Sequence, residues 1–472
     1  SVGCRSRGRA IMLGSGMTYH LVSFGCQMNL SDTERIATVL DSAGFVRTGR
    51  EEDADLIGAI ACSVRQRAID RVDARIERWN AWKAQRPLVT FVSGCVLPHD
   101  EPRLAGKFDF LVRPADVPSL PDLIRQDGVV TPASGGGYLG TDDAFWKITP
   151  RYSSGYAAFV PIQNGCDKLC TFCAVPYTRG REVSRPSGGI LDEVGRLVGL
   201  GYSSITLLGQ NVNSYGTDTS DECSFAELLH RVAELCEKAG RTVWVYYTSP
   251  HPQDMTTEVL EAMAAHPSIA MQVHLPLQSG DDKVLIRMNR NYRLDRYRPI
   301  VEEIRRILPR ATLSTDIIVG FTGETDEQFE ETRRAMREFQ FNMAYIAAYS
   351  PRPGAASSRW ADDVPAAVKK ERVQILSDEL QRSAGAYNAA LVDSTLPVLV
   401  EGPARRAGHL SGRTEGRVIV RFPERDDVRP GHIVPVRITG AAPLSVEGEL
   451  AAMPVGETMP ARETMPACEL AS

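Results

Sequence analysis

Three cysteines at x3 and x2 spacing, Cys166-Asp-Lys-Leu-Cys170-Thr-Phe-Cys173, offer three thiolates within one short loop. Thiolates so spaced can wrap one face of a cubane iron–sulfur cluster, and three ligands for four irons leave one iron open. A structural zinc site normally completes four protein ligands, and a ferredoxin-type carrier supplies a fourth cysteine nearby. Both stand as alternatives at this point, each short of one residue.

Cys26, Cys62 and Cys95 form a second, less obvious set. Each follows directly on a predicted strand, where open α/β sheets gather their ligands. Singly, each reads as a buried apolar side chain; their common placement predicts three thiols converging on one site. Cys4, Cys223, Cys236 and Cys468 lack such placement, and Cys236 reads as helix packing.

The elements that must position these residues alternate along the chain. YHLVSF, ADLIGAI and PLVTFVS, separated by helical stretches near 31–44 and 66–84, predict a small parallel α/β domain over 18–130. Turn-rich residues 131–151 read as a linker. AAFVPIQ, ITLLGQ, VWVYYT, AMQVHLPLQ, LSTDIIVGF and MAYIAAYS then alternate with helices over 152–383, which predicts a (β/α)6 partial barrel, two units short of a closed eightfold one. A long charged amphipathic stretch beginning at Val364 is expected to pack outside that barrel. Short β-like runs broken by Gly and Pro predict a small C-terminal β-barrel within 384–451. Residues 1–17 read as an unstructured leader, and 452–472, where ETMPA occurs twice, as a disordered tail.

Composition narrows the class. With 43% hydrophobic and 24% charged residues in 472, the chain reads as soluble and globular. No run of 18 apolar residues and no secretory signal stand in it, so a cytoplasmic protein without membrane attachment is expected. Ten cysteines in such a chain point to reduced thiols rather than a disulfide framework. A net charge of −5 gives no global sign of nucleic-acid binding, which must rest on motifs.

The C-x3-C-x2-C loop after a first strand, with Phe172 before its last cysteine, resembles the signature of the radical S-adenosylmethionine (SAM) superfamily. SFGCQMNLSDTE, ACSVRQRA and SGCVLP resemble the three cysteine segments of the methylthiotransferase amino-terminal domain. PYTRGREVSRP, LLGQNVNSYG, TSPHP, HLPLQSG, MNRNY, STDIIVGF, YSPRPG and the late GRT of 412–414 resemble tRNA methylthiotransferases. The similarity runs from about Tyr19 to Leu450, in the order methylthiotransferase domain, radical SAM domain and TRAM domain. GCQMN and PYTRGREVSRP look like the branch acting on isopentenyl-adenosine beside the anticodon.

This resemblance implies two 4Fe–4S clusters, one on Cys26, Cys62 and Cys95 and a SAM-binding one on Cys166, Cys170 and Cys173. It implies two SAM molecules, one methylating sulfur and one giving the 5′-deoxyadenosyl radical that takes hydrogen from carbon 2 of adenine. The implied partners are a tRNA anticodon loop, a flavodoxin- or ferredoxin-like electron donor and a sulfur or cluster donor, with the enzyme a monomer. The target base would be extruded, costing roughly a few kcal/mol or less in a single-stranded loop.

Arg179, Arg181 and Arg185, offset by Glu182 alone, are expected to face RNA phosphate or the SAM carboxylate, against a reading as solvated surface arginines. Gln210, Asn211, His274, Gln278 and Asp316 fall at strand ends on the barrel rim, where polar groups face the ligand or serve packing. Glu193 is expected beside the SAM amino group or exposed on a helix. Residues 393–450 carry eight Arg and eight acidic residues, so RNA binding there, including that by Arg413, rests on the TRAM resemblance.

The sequence departs from the family pattern in four places. Ile60-Ala61 stand where Asn-Thr is common, Leu97-Pro98 replace a small residue and Gln, Thr322 replaces Pro, and Asn164 replaces a Glu frequent in the isopentenyl branch. The last leaves open sister enzymes that methylthiolate threonylcarbamoyl-adenosine or a ribosomal-protein aspartate. A non-catalytic iron–sulfur RNA-binding protein is the alternative from another class.

Overall fold

A computed structural model describes residues 16–63, 66–125, 139–140 and 144–451. Most of the leader expected at 1–17, all of the tail expected at 452–472, and much of the linker lie outside the described residues.

The first domain is a five-stranded parallel sheet in the order Val46–Arg47, Thr18–Ser23, Leu56–Cys62, Val89–Cys95, Phe110–Leu111. Leu56–Cys62 and Val89–Cys95 are buried at every position, as strands covered on both faces must be. Side chains alternate between faces, so Leu56 and Ile60 join one core with Ile36 and Leu40, while Ile57, Ala59 and Ala61 join another with Ile69, Val72, Ile76 and Trp79. Helix Gln27–Ser42 covers the first face and helix Gln66–Lys83 the second.

The described part of the expected linker is not a passive spacer. Phe145 and Trp146 are buried in the first core, because a short 3-10 turn, Ala144–Lys147, folds back onto the domain. Turn-forming composition around them hides these two anchors.

The second domain holds two three-stranded parallel sheets, Ala157–Pro161, Ser204–Leu208 and Trp244–Tyr247, then Gln272–His274, Thr312–Val319 and Met343–Ala348. A parallel bridge between Val245 and Ile269 joins them into the six-strand partial barrel. Helix Ala366–Ala390 packs Leu376, Leu380 and Ala384 into its core, outside the strands. The helix continues through position 384, and the last domain's first strand begins at Thr395.

Strands Thr395–Pro403, His409–Thr414, Ile419–Pro423, Ile433–Ala442 and Ser445–Leu450 close into a barrel filled by Val398, Val400, Val420, Phe422, Val436 and Val446. Its turn at 414–417 fastens onto the seam between the two sheets of the second domain. Glu415 accepts the Met271 amide (3.0 Å) through its carboxylate and the Tyr246 hydroxyl (3.1 Å) through its carbonyl. The Gly416 carbonyl accepts from Thr312 Oγ1 (2.8 Å), and the Arg417 guanidinium lies 3.6 Å from the Tyr246 ring centre. Among the described residues no helix is long and apolar enough to cross a membrane.

Candidate active site

Strand Ala157–Pro161 delivers the chain to the first cysteine loop, and a small antiparallel ladder, Gln163–Asn164 with Val183–Ser184, clamps the loop's base. Gly165 stands there at φ +82°, and a Cβ would collide with the Arg181 carbonyl. Gly165→Ala is therefore expected to lower stability by at least about 1 kcal/mol, read as an earlier urea or thermal midpoint. The Gly165 amide donates to Gln210 Oε1 (2.5 Å) and the Cys166 amide to the Gly180 carbonyl (3.3 Å). Asn211 is buried and donates to Ser214 and Asp254, and Asp254 pairs with Lys168 of the loop. Gln210 and Asn211 thus brace the loop.

The three thiols of this loop lie close enough to feel one another's charge. Burial pushes Cys166 up to about 12 and Cys173 up to about 11. Cys170 Sγ accepts from Arg290 Nη1 (3.3 Å), and Cys173 Sγ from the Val175 amide (3.4 Å). Half-buried thiols with donors beside them suit a guest that brings positive charge, since a bound metal deprotonates its thiol ligand outright. The donor set fits a cluster with one open iron.

In the second set two thiols meet directly and Asn29 links the third to them. Cys62 and Cys95 are register partners on neighbouring parallel strands, roughly 4.8 Å apart by strand spacing, and Cys26 caps helix Gln27–Ser42. Asn29 joins them: its Oδ1 accepts from the Cys26 amide (3.3 Å), while its Nδ2 donates to the Ala61 carbonyl (3.2 Å) and lies 3.8 Å from Cys95 Sγ. A Cβ on Gly25 or Gly94 would collide with Asn29, which gives GCQMN and SGC a packing reason. The Cys62 side chain and burial hold Cys95 well above a free thiol, against the pull of Arg179. Asn29 was missed by sequence reasoning, although an Asn three residues after a helix-capping cysteine is a usable sign.

Two arginine expectations and one for glutamate need correction. Arg179 is 2% exposed: its Nε lies 3.0 Å from Cys95 Sγ and its Nη2 pairs with Asp32 (2.5 Å). Arg185 is buried and paired with Glu193 (2.6 Å). Glu193 neither reaches a ligand space nor solvent; it also takes Arg35 (3.0 Å) and the Tyr152 hydroxyl (2.8 Å). Buried carboxylates at the contact between the first two domains draw both guanidiniums inward. Arg181, 88% exposed and beside Asp167, does face solvent.

A cavity of about 870 Å³ runs from Cys26 of the first domain through the partial barrel to the C-terminal barrel. His274 and Asp316 line it, 3.1 Å apart, and Ser314 Oγ lies 3.1 Å from the other ring nitrogen of His274. Tyr345, 63% exposed, offers aromatic surface, and Arg413, 40% exposed beside Glu401, stands with Arg417 at the far end. Gln278, at φ +68°, lies off this cavity and donates its amide to the Asp316 carbonyl (2.8 Å). The volume suits a nucleoside with part of a second ligand.

Comparison with known proteins matches this architecture part by part. Residues 160–336 match the radical SAM superfamily, 18–112 the uncharacterized protein family UPF0004, and 390–451 the TRAM domain. The superfamily match carries with it a 4Fe–4S cluster and SAM. The radical SAM methyltransferase TsrM from Kitasatospora setae shares the fold, with a TM-score of 0.55 at 14% identity over 73% of this chain and 74% of that one. A tRNA-2-methylthio-N(6)-dimethylallyladenosine synthase from Streptomyces avermitilis is 40% identical over 90% of this chain and 85% of its own. Another, from Chlorobium phaeobacteroides, is 38% identical over 91% of this chain and 96% of its own. With such identity along nearly all of its length, the chain belongs to the tRNA-2-methylthio-N(6)-dimethylallyladenosine synthase family.

Proposed function

We propose that this protein places a methylthio group on carbon 2 of N6-dimethylallyl-adenosine beside the anticodon of tRNA, with one 4Fe–4S cluster on Cys166, Cys170 and Cys173 and a second on Cys26, Cys62 and Cys95. The observation that carries the reading is the cavity in which Cys26 shares one wall system with the barrel residues His274 and Asp316 and with Arg413. A nucleotide in it would meet groups from all three domains.

When bound, the clusters and two SAM molecules supply a carbon radical and the sulfur group that replaces the abstracted hydrogen. Arg290 holds positive charge beside Cys170, and Asn29 fixes Cys26 relative to Cys95. His274 and Asp316 give a donor and an acceptor to an extruded base, and Tyr345 a stacking face. Arg413 and Arg181 are placed by this reading against RNA phosphate, which positions without reading sequence. The reading includes a cytoplasmic monomer, a flavodoxin- or ferredoxin-like electron donor and a sulfur or cluster donor.

Asn164, whose identity departs from the isopentenyl branch, is buried and donates to the Arg179 carbonyl (2.9 Å). It acts on the loop, at the Arg179 carbonyl, rather than lining the cavity. The test is anaerobic incubation of reconstituted protein with SAM, a strong reductant and hypomodified tRNA, followed by mass spectrometry of nucleosides. A methylthio mass gain on dimethylallyl-adenosine with 5′-deoxyadenosine formed is the expected result. Deoxyadenosine without that gain moves the substrate to a sister enzyme, and neither product returns the protein to the non-catalytic class.

A further inference from the structure

Arg179 belongs by sequence to the radical SAM domain but ends its side chain in the cysteine site of the first domain. Short helix Val175–Arg179 follows directly on the cluster loop, and the Arg179 carbonyl accepts from Asn164 at the clamped base of that loop. The neighbouring Gly180 carbonyl accepts the Cys166 amide. The same residue therefore has its backbone beside one cysteine set and its guanidinium 3.0 Å from Cys95 of the other.

The guanidinium is buried and has one carboxylate partner, Asp32 (2.5 Å), on helix Gln27–Ser42. Arg352, half-buried and bonded to Gln66 (2.8 Å), brings a second cation from the same domain within reach of Cys62. Cationic charge near these thiols thus comes from across the domain contact. A positive group hydrogen-bonded to a ligating sulfur stabilises the more negative, reduced state of an iron–sulfur centre, and a carboxylate behind that group offsets part of the effect.

We propose that Arg179 is a positioning residue that sets the reduction potential of the Cys26, Cys62 and Cys95 centre from the radical SAM domain, with Asp32 as its counterweight. The inference rests on the reading that those three cysteines hold a cluster.

The test uses full-length protein carrying Cys166→Ala, Cys170→Ala and Cys173→Ala, so that one centre is observed. After anaerobic loading with iron and sulfide, iron per chain and the midpoint potential are measured by electron paramagnetic resonance titration. In that background Arg179→Gln is expected to lower the midpoint, Arg179→Lys to restore most of it, and Asp32→Asn to raise it, with iron content unchanged. Opposite shifts from the two partners of one ion pair distinguish charge tuning from mere support of the fold. Midpoints equal to the parent in all variants, or equal iron loss in Arg179→Gln and Asp32→Asn with no opposite shifts, would overturn the proposal. Absence of iron in the parent background would instead strike the cluster reading itself, and the inference with it.

Discussion

Alanine at Cys166, Cys170 and Cys173 together is expected to reduce SAM cleavage to background, while alanine at Cys26, Cys62 and Cys95 halves the iron and leaves cleavage in place. The contrast follows from where the thiols lie. The first three occupy one loop with its own clamp at Gln163–Asn164 and Val183–Ser184 and its own cation at Arg290. The other three are held by a different sheet and by Asn29. Removing the second set takes nothing from the brace that Gln210, Asn211 and Asp254 give the first. Iron analysis and chromatography of 5′-deoxyadenosine read the two outcomes separately. Full iron retention in the Cys26, Cys62 and Cys95 variant would leave the chain with one cluster.

Glu193→Gln is expected to destabilise the protein by about 3–5 kcal/mol, because it leaves the Arg35 and Arg185 guanidiniums buried without their carboxylate. Burial alone would push Glu193 up, but Arg35, Arg185 and the Tyr152 hydroxyl overcome it and hold the carboxyl below its ordinary value of 4.5. Burial pulls Arg185 down against Glu193's attraction. A guanidinium nonetheless keeps its proton, so the carboxylate's direction governs. A carboxyl depressed on folding contributes its stability above the unfolded value and loses it as pH falls through the folded one. The gap between wild type and Glu193→Gln should therefore be full at neutral pH and shrink on acidification below about 4.5. Urea midpoints at several pH values measure it, and a gap that did not narrow in acid would deny the ionised carboxylate its role.

The cysteine loop was legible because its ligands are consecutive in the chain, and the strands because buried parallel strands are near-continuous runs of apolar residues. The charged interior was not. Arg179 meets Asp32 across 147 residues and Arg35 meets Glu193 across 158, separations that leave no periodic trace. Helix Gln27–Ser42 illustrates the difficulty: Asn29, Ser31, Asp32, Glu34 and Arg35 are all buried in it, so its polar face, which ordinarily marks solvent, lies against other protein. Its start was also set four residues late, since Cys26 is not a residue type that announces a cap. A helix with so many polar residues near a cysteine motif was the available hint that a second domain covers it.

The fastening of the 414–417 turn onto the barrel seam bears on how the protein is made. Val245 and Ile269, whose bridge joins the two sheets, are synthesised 169 and 145 residues before Thr414, where that turn begins. Until then the Met271 amide and the Tyr246 and Thr312 hydroxyls at the seam lack the partners the turn brings. Domains generally fold as they emerge, amino-terminal first, but here the middle one is finished by the last. A nascent chain stalled before residue 414 would keep the Val245–Ile269 bridge but leave these seam groups without the turn's partners, so the finishing of the middle domain waits on synthesis of the turn.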